Sequence, residues 1–363
     1  MLLAGAAVAR IPASRASAAA LHAVAPTVSP ALLVLSKTDH VLSIVDPATL
    51  RIVAQVPSGP DPHEVVASAD GRMAYISNYG GGAYHTLTPV DLDQPRALPV
   101  IELGALRGPH GLDVQGGKVW FTAEAARVVG RYDPATAQVD WVLGTGQDRT
   151  HMLIVSPDGQ RVITTNVNAG TVSILEARAA RGPSGPPPGS PPGGPPLGAP
   201  PGPPPGASPG PPRTDWTSTV VPVGRGAEGF DVSPDGKEAW VANAGDGTIS
   251  VIDLGTRRVV QTLAADVRGA NRLKFTPDGA LAFVSTLGGS DVTVLRAATR
   301  AVVKRIPVGH GAAGIQMQPD GARVYVACTP DDYVAVIDVR SLAVVGRVTA
   351  GREPDGLAWA VRP

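Results

Sequence analysis

Short apolar segments that alternate with polar residues recur along the chain and are separated by tight-turn sequences. Residues 227–263 contain four of them, namely Gly229–Val232, Glu238–Ala242, Thr248–Asp253 and Arg258–Leu263. Alternation with a period of two indicates β-strands. A Ser-Pro-Asp-Gly turn joins the first two segments, because proline presets one turn dihedral and glycine accepts a positive one. The pattern predicts a blade of four short antiparallel strands, which we call a to d in chain order.

The same unit occurs six times, and each copy carries a glycine in its a–b turn. These glycines are about 42 to 46 residues apart, except for one longer spacing that contains a Pro- and Gly-rich insert at residues 182–213. A period of about 40–45 residues made only of strand and turn signals is typical of a β-propeller. The six glycines are Gly71, Gly117, Gly159, Gly236, Gly279 and Gly321.

The two ends of the chain supply a seventh blade. Residues 31–59 contain strands b, c and d with no strand a before them, whereas Pro354–Trp359 has the pattern of a lone strand a. We therefore expect an all-β fold, a seven-bladed β-propeller of four-stranded antiparallel blades. The N-terminal strands would pair with the C-terminal strand and close the ring, which removes an exposed sheet edge. Residues 31–363 then form a single domain that the insert interrupts.

Two segments lie outside the repeat. Residues 1–30 are interpreted as a signal-like or disordered leader, because Met1–Ala9 is apolar and Ala16–Ala18 has the small-x-small form of a cleavage site. A leader of this kind predicts export to the periplasm or the extracellular space, with a cytoplasmic location as the alternative. Residues 182–213 are assigned to a c–d loop and predicted to be disordered, since they lack apolar periodicity. The insert is either a tolerated surface insertion or a proline-rich spacer or ligand.

Composition narrows the classes of partner. The chain has 31 Lys and Arg residues against 31 Asp and Glu residues, so no overall field favours nucleic acid, and no nucleic-acid partner is indicated. No apolar run is long enough for a transmembrane segment. A monomer is expected. Cys328 is the only cysteine, which excludes a disulfide within the chain, and its apolar surroundings in the sequence favour a buried small hydrophobe.

The repeat motifs carry a family resemblance. Ser233–Gly236, Trp240–Asn243 and Ile249–Asp253 follow one another in one blade, and Tyr75–Asn78 is a further copy of the second motif. These sequences resemble the YVTN-type repeat β-propellers of the YncE-like family, over roughly residues 31–362 apart from the insert. The resemblance implies a seven-bladed, often exported bacterial protein. It implies no single activity, because propellers serve as enzymes, binding proteins and scaffolds.

The residue that opens strand a can be aligned in all seven blades. This column lies at the end of the strands that surround the axis of a propeller, and it contains three of the chain's seven histidines. Because six of its seven members are polar, we expect it to line the mouth of the central opening. The column residues are His63, His110, His151, Glu228, Asn271, Ala313 and Asp355.

Other candidate residues adjoin the column. Glu64 and Arg272 directly follow column residues at a position that is glycine in most blades. Tyr79, Tyr84 and His85 lie in one long Gly-rich b–c loop, which should be on the same face and could form the wall of a pocket. We therefore include all five residues among the candidate ligand-binding residues.

Three interpretations of this face compete. The polar residues could line a solvated opening, or they could bind a small polar or anionic ligand through imidazoles and Arg272. A divalent metal held by His63, His110 and His151 is the third interpretation, since imidazole is a common ligand of transition metals. Glu228 or Asp355 could then complete the site or act as a general base.

The sequence favours a non-enzymatic binding or scaffold propeller that presents this mouth to a small polar ligand or a protein partner. The alternative is a metal-assisted lyase or hydrolase that uses the same histidines, as in the virginiamycin B lyase-type propellers, which Gly108–Gly111 resembles. No cofactor is assured, and a divalent metal is the one candidate. Phosphate-binding loops, nucleophile elbows and Cys/His zinc spacings are not found in the sequence.

Overall fold

The computed structural model describes residues 29–179 and 214–362, which form seven antiparallel sheets arranged as blades around one axis. The predicted seven-bladed, all-β propeller is confirmed. The predicted insert and all but the last two residues of the predicted leader lie outside the described residues, so both stay predictions. Within those ranges, no helix has the length and apolar character needed to cross a membrane.

The a and b strands form the inner half of each blade. Strands a of neighbouring blades contact each other around the ring, which places them next to the axis. We number the blades along the chain, and blade 1 is the one that contains strand Ala31–Ser36. From blade 2 to blade 7 and then blade 1, the a strands are Pro62–Ala67, Pro109–Gln115, Thr150–Val155, Ala227–Val232, Ala270–Phe275, Ala312–Met317 and Pro354–Ala360. From blade 1 to blade 7, the b strands are Ala31–Ser36, Met73–Asn78, Lys118–Ala123, Arg161–Asn166, Glu238–Asn243, Leu281–Thr286 and Arg323–Cys328.

The c and d strands form the outer half, and two short 3-10 turns, Gly80–Gly82 and Thr329–Asp331, lie in b–c loops. From blade 1 to blade 7, the c strands are Val41–Asp46, Thr86–Asp91, Val128–Asp133, Thr171–Ala179, Thr248–Asp253, Asp291–Arg296 and Tyr333–Asp338. In the same order, the d strands are Arg51–Pro57, the broken pair Arg96–Ala97 and Ile101–Glu102, then Gln138–Gly144, Thr214–Pro222, Arg258–Leu263, Ala301–Pro307 and Ala343–Val348.

The ends of the chain meet in blade 1. Strand Pro354–Ala360 pairs antiparallel with strand Ala31–Ser36, with Leu33 opposite Ala358. The resulting sheet contains one strand from the C-terminal end and three from the N-terminal end. The structure is therefore consistent with the predicted closure of the ring, which covers an edge that an open ring would expose.

The core lies between the blades. One cluster joins Phe283 and Val294 of blade 6 to Val326 and Ile337 of blade 7, and all four side chains are buried. Aliphatic residues do most of this packing because aromatic residues are only 4% of the chain. Each blade thus depends on its neighbours for burial, which fixes the positions of the a strands around the axis.

Candidate functional site

The column residues surround the axis at one end of the ring. Each is the second residue of its a strand. His63, His110 and His151 come from consecutive blades, and their imidazole rings adjoin one another. The centroid of the His110 ring lies 5.2 Å from that of His63 and 4.0 Å from that of His151. The three histidines therefore form one continuous row at the mouth.

A β-bulge in each a strand directs the column side chain towards the axis. In blade 3, His110 and Gly111 together face Thr122 of strand b, because the register shifts between Phe121 and Ala123. A bulge of this kind leaves backbone groups without ladder partners and redirects a side chain. The resulting gap in the ladder must be filled by another hydrogen-bonding group.

Hydroxyl groups of strand b fill that gap and connect neighbouring blades. The Gly111 amide donates to Thr122 Oγ1 over 2.9 Å, and the same hydroxyl donates to the His151 carbonyl over 2.5 Å. Thr165 likewise accepts from its own blade and donates to the Glu228 carbonyl over 2.7 Å. Each hydroxyl therefore fixes two successive column positions relative to each other.

His151 is held between two carboxylates. Its Nδ1 makes a close contact with Glu124 Oε1, and its Nε2 lies 2.7 Å from Glu228 Oε2. The Tyr79 hydroxyl donates to the other Glu124 oxygen over 2.5 Å. His151 and Glu124 are only 2% and 5% exposed, so these contacts are shielded from bulk water. Arg149 lies 3.5 Å from Glu124 and 3.7 Å from Glu228, which adds positive charge to the same group.

The surroundings shift the pKa values of two neighbouring imidazoles in opposite directions. Burial lowers the pKa of His151, but Glu228 and Glu124 outweigh it, and the net pKa is raised. Burial opposes ionisation of Glu228 too, yet its contact with His151 lowers the pKa to about 2. Burial, together with the charge of His151, holds the pKa of His110 well below its usual value. A His151 with a raised pKa thus adjoins a His110 with a lowered one.

His110 carries an unused ligand atom. Its Nδ1 is buried and has no hydrogen-bond partner among the described residues. Leaving a buried polar atom unpaired costs about 1–3 kcal/mol. In the tautomer that carries its proton on Nε2, Nδ1 has a free electron pair that a ligand donor or a metal ion can use.

Two histidines and one glutamate form a group with metal-ligand chemistry. Ligand atoms of His110, Glu124 and His151 all lie within 4.8 Å of one another, and all three residues are buried. Zinc bonds of about 2.0–2.1 Å place tetrahedral ligand atoms about 3–3.5 Å apart, so modest side-chain shifts would bring these three onto one ion. The chemistry of the three residues fits a divalent transition metal, since imidazole and carboxylate are both suitable ligands.

His63 lies beside this group. Its two ring nitrogens are 3.4 Å from Asp61 and 3.4 Å from Asp355. Tyr79 packs edge-on against His63 and His110, at centroid distances of 4.9 and 5.1 Å. The contact with His63 lowers the pKa of Asp61 to about 2, whereas burial raises the pKa of Asp355. The structure therefore brings Glu124, in place of His63, into the potential metal group.

An ion pair spans the axis below the histidine row. Arg272 of blade 6 pairs with Glu64 of blade 2, and these blades face each other across a ring of seven. Arg272 lines both an upper cavity of about 170 Å³ at the histidine mouth and a lower cavity of about 350 Å³. Arg272 is 8% exposed, so the pair is a buried partition between the two cavities.

The remaining predicted residues lie at different distances from the cluster. Asn271 lines the upper cavity and accepts a hydrogen bond from Arg272 Nη1 through its carbonyl. Tyr84 is 41% exposed. The Nε2 of His85 lies 3.2 Å from Glu102 on the outer part of blade 2. Tyr84 and His85 therefore lie outside the central cluster, although their loop also carries Tyr79.

Sequence reasoning left Arg149 out, although a pattern marks it. Two residues before the column residue, the backbone has a positive φ in every blade. Four blades have glycine there, as the left-handed region favours. The other three have charged residues, of which Asp61 and Arg149 contact the cluster, while Glu353 lies in blade 1. In the sequence, the signal that could have identified Arg149 was a charged residue at a position where four blades have glycine. Glu124 and Lys37 each directly follow strand b of their blade, the position that Tyr79 has in blade 2, and this alignment was the available signal for them.

Comparisons with known proteins bear on the fold. No family model matches the chain, and no curated protein matches it. Many solved structures are similar. A protein of unknown function from Desulfotomaculum acetoxidans is 15% identical, with a TM-score of 0.71 over 92% of this chain and 100% of that chain. Similarity at this level of identity extends to the propeller fold alone.

Two further solved structures share that fold. One is described as a putative 6-phosphogluconolactonase from Bacteroides uniformis, with 16% identity and a TM-score of 0.66 over 91% of this chain and 99% of that one. The other is hydrazine synthase from Kuenenia stuttgartiensis, with 18% identity and a TM-score of 0.62 over 82% and 89%. The resemblance to YVTN-repeat propellers stays a prediction.

Proposed function

We propose that this propeller is a binding protein whose central mouth holds a divalent transition-metal ion through His110, Glu124 and His151. One observation carries the proposal, namely the convergence of two imidazoles and one carboxylate within 4.8 Å in a buried position. The unpartnered Nδ1 of His110 supports it, because that atom would gain a partner. When bound, the ion would supply a Lewis acid that faces the upper cavity.

The surrounding residues suit this role. Tyr79 donates to Glu124, and Glu228 contacts the second nitrogen of His151, so both ligands already have partners that orient them. Such outer partners are a regular feature of metal sites and tune ligand basicity. Metal uptake would release the proton that His151 shares with the carboxylates, as metal ligands must be deprotonated.

Metal titration of the purified protein tests the proposal. We expect one equivalent of Zn²⁺ or Co²⁺ per chain by calorimetry and elemental analysis, and Co²⁺ absorption bands characteristic of nitrogen and oxygen ligands. His110→Ala should weaken binding by more than about 100-fold, because loss of a ligand exceeds the loss of an outer partner. His310→Ala is the matched control, since His310 pairs with Asp331 and its side chain is 78% exposed.

The outcome that contradicts the proposal is equal metal affinity in the wild type, His110→Ala and His310→Ala. Absence of stoichiometric binding at any accessible pH would contradict it as well. Circular dichroism of each variant establishes that the ring is intact, so that a lost site is distinguished from a lost fold.

A metal-assisted lyase or hydrolase is the second candidate. The observation that favours it is the adjacency of His151 and His110, whose ring centroids lie 4.0 Å apart and whose pKa values shift in opposite directions, since two adjacent groups with separated pKa values suit acid and base roles. Incubation of metal-loaded protein with a panel of small lactones and hydroxy acids separates the two. Unchanged compounds by mass spectrometry support binding, whereas conversion that His110→Ala abolishes supports catalysis.

A further inference from the structure

Three cationic side chains line the upper cavity, and two of them also have carboxylates outside the lining, since Glu64 contacts Arg272 and Glu124 contacts Arg149. Lys37, Arg149 and Arg272 line it, together with the histidine row, against the two carboxylates of Glu228 and Asp355. Its volume of about 170 Å³ corresponds to roughly five water molecules. The cavity therefore matches a small molecule of about five or six non-hydrogen atoms that carries negative charge.

Arg272 is fixed at the bottom of this cavity. Its Nη1 donates to the Asn271 carbonyl over 3.0 Å, and its Nη2 contacts Glu64. The guanidinium group has five N–H donors, and these contacts use two of them. Because the side chain is anchored from below, the remaining donors are held in place without further loss of conformational freedom.

Lys37 and Arg149 lie at the rim, where their ion pairs are loose. Lys37 Nζ is 3.6 Å from Asp355, and the closest contacts of Arg149 with Glu124 and Glu228 are 3.5 and 3.7 Å. These separations exceed ordinary hydrogen-bond lengths. The two side chains are 27% and 36% exposed, so both can turn towards a ligand that enters the mouth.

We propose that the upper cavity binds a small monocarboxylic hydroxy acid, with its carboxylate at the cationic side chains of Lys37, Arg149 and Arg272. Glu228 and Asp355 select within this class. Their carboxylates accept hydrogen bonds, so a ligand hydroxyl can donate to one of them. The same two groups repel a second negative charge, which disfavours dicarboxylates and phosphate dianions. The inference rests on the proposed function for the location of the site, whereas carboxylate recognition uses the three cations alone.

Glycolate is the probe, since it is achiral and has five non-hydrogen atoms. We expect calorimetry to show binding of glycolate to the full-length protein, with tighter binding when Zn²⁺ is present. In metal-free protein, glycolamide, which keeps the shape and loses the charge, and oxalate, which adds a charge, should both bind at least about tenfold more weakly. The double variant Lys37→Gln/Arg149→Gln should lose about tenfold in glycolate affinity.

Arg127→Gln is the matched control. Arg127 is an arginine of a b–c loop with a 54% exposed side chain, and it pairs with Asp148 away from the cavity. Its replacement should leave glycolate affinity unchanged. If the double variant does not fold, the single variant Lys37→Gln carries the same test, because Lys37 is partly exposed at the rim.

Each outcome decides one of the two proposals. Equal affinity for glycolate and glycolamide, or glycolate binding that the rim variants leave unchanged, overturns the inference. Zn²⁺ binding with no glycolate binding overturns it too and leaves the metal proposal standing. Glycolate binding that depends on the rim cations, in protein that takes up no metal, supports the inference and contradicts the proposed metal site.

Discussion

Two residues before each column residue, the backbone is left-handed, and Arg149 occupies this position in blade 4 with φ of 57°. Side chains other than glycine pay an energetic cost in this region, which is tolerated where the surrounding structure holds them. Arg149 contacts both carboxylates that flank His151. The strained residue is therefore explained by the charge that it brings to the mouth.

Substitution of Arg149 separates backbone strain from charge. Arg149→Gly and Arg149→Ala both remove the ion pairs, but only glycine relieves the left-handed backbone, so we expect the glycine variant to be more stable by about 1 kcal/mol. Urea unfolding of the two variants measures the difference. The same pair of substitutions at Arg131, inside a c strand, should give the opposite order. An alanine variant at position 149 as stable as the glycine variant would disprove the strain.

Among the elements, the bulged a strand and its b-strand partner position the site. Thr122 bonds Gly111 of its own blade and the His151 carbonyl of the next one. The neighbouring a strands approach so closely that a Cβ on Gly314 would lie 2.0 Å from the Asp355 carbonyl oxygen. This distance explains why glycine follows the column residue in most blades. Glu64 and Arg272 are exceptions whose side chains meet across the axis.

Thr122→Val tests the role of the hydroxyl. Valine keeps the shape and leaves the Gly111 amide and the His151 carbonyl without that partner, so we expect a loss of about 1–3 kcal/mol in unfolding free energy. Metal affinity should fall as well, since His151 is no longer fixed relative to His110. Thr262→Val, on an exposed position of a d strand, should change stability by less than about 0.5 kcal/mol. Similar losses in the two variants would count against the connecting role.

The whole ring depends on blade 1, where the two ends of the chain pair. Because the core clusters lie between sheets, each blade buries apolar side chains of its two neighbours and depends on them to bury its own. Stability is therefore a property of the closed circle rather than of any one blade.

Removal of the last a strand should weaken the entire molecule. Deletion of residues 354–363 withdraws Leu357, whose burial alone contributes about 2 kcal/mol, and uncovers strand Ala31–Ser36. We expect a lower melting temperature for the single cooperative transition, measured by calorimetry. Deletion of residues 361–363 alone is the control, since it removes the contacts of Arg362 with Asp93 and Ser29 but leaves the strand in place. Equal melting of the longer truncation and the full-length protein would argue against closure.

The sequence predicted the architecture better than the site. Strand alternation repeats in every blade and the turn glycine in six of the seven, so the a-strand column, and with it the row from His63 to His151, could be aligned without coordinates. Glu124 directly follows strand b, as Lys37 and Tyr79 do, but this position has no common side-chain type in the seven blades, so the sequence pattern alone does not mark it as part of a site. The position of His85 in a b–c loop predicts a place at the mouth, but its Nε2 contacts Glu102 on the outer part of blade 2.

The partition formed by Arg272 and Glu64 has a kinetic consequence. A solute at the histidine row that moves along the axis meets this buried pair, because Arg272 and Glu64 lie between the upper cavity and the lower one. The ion pair therefore hinders passage of the solute along the axis. Exchange of a ligand through the mouth avoids this pair, and the residues at the rim set the width and the charge of that opening.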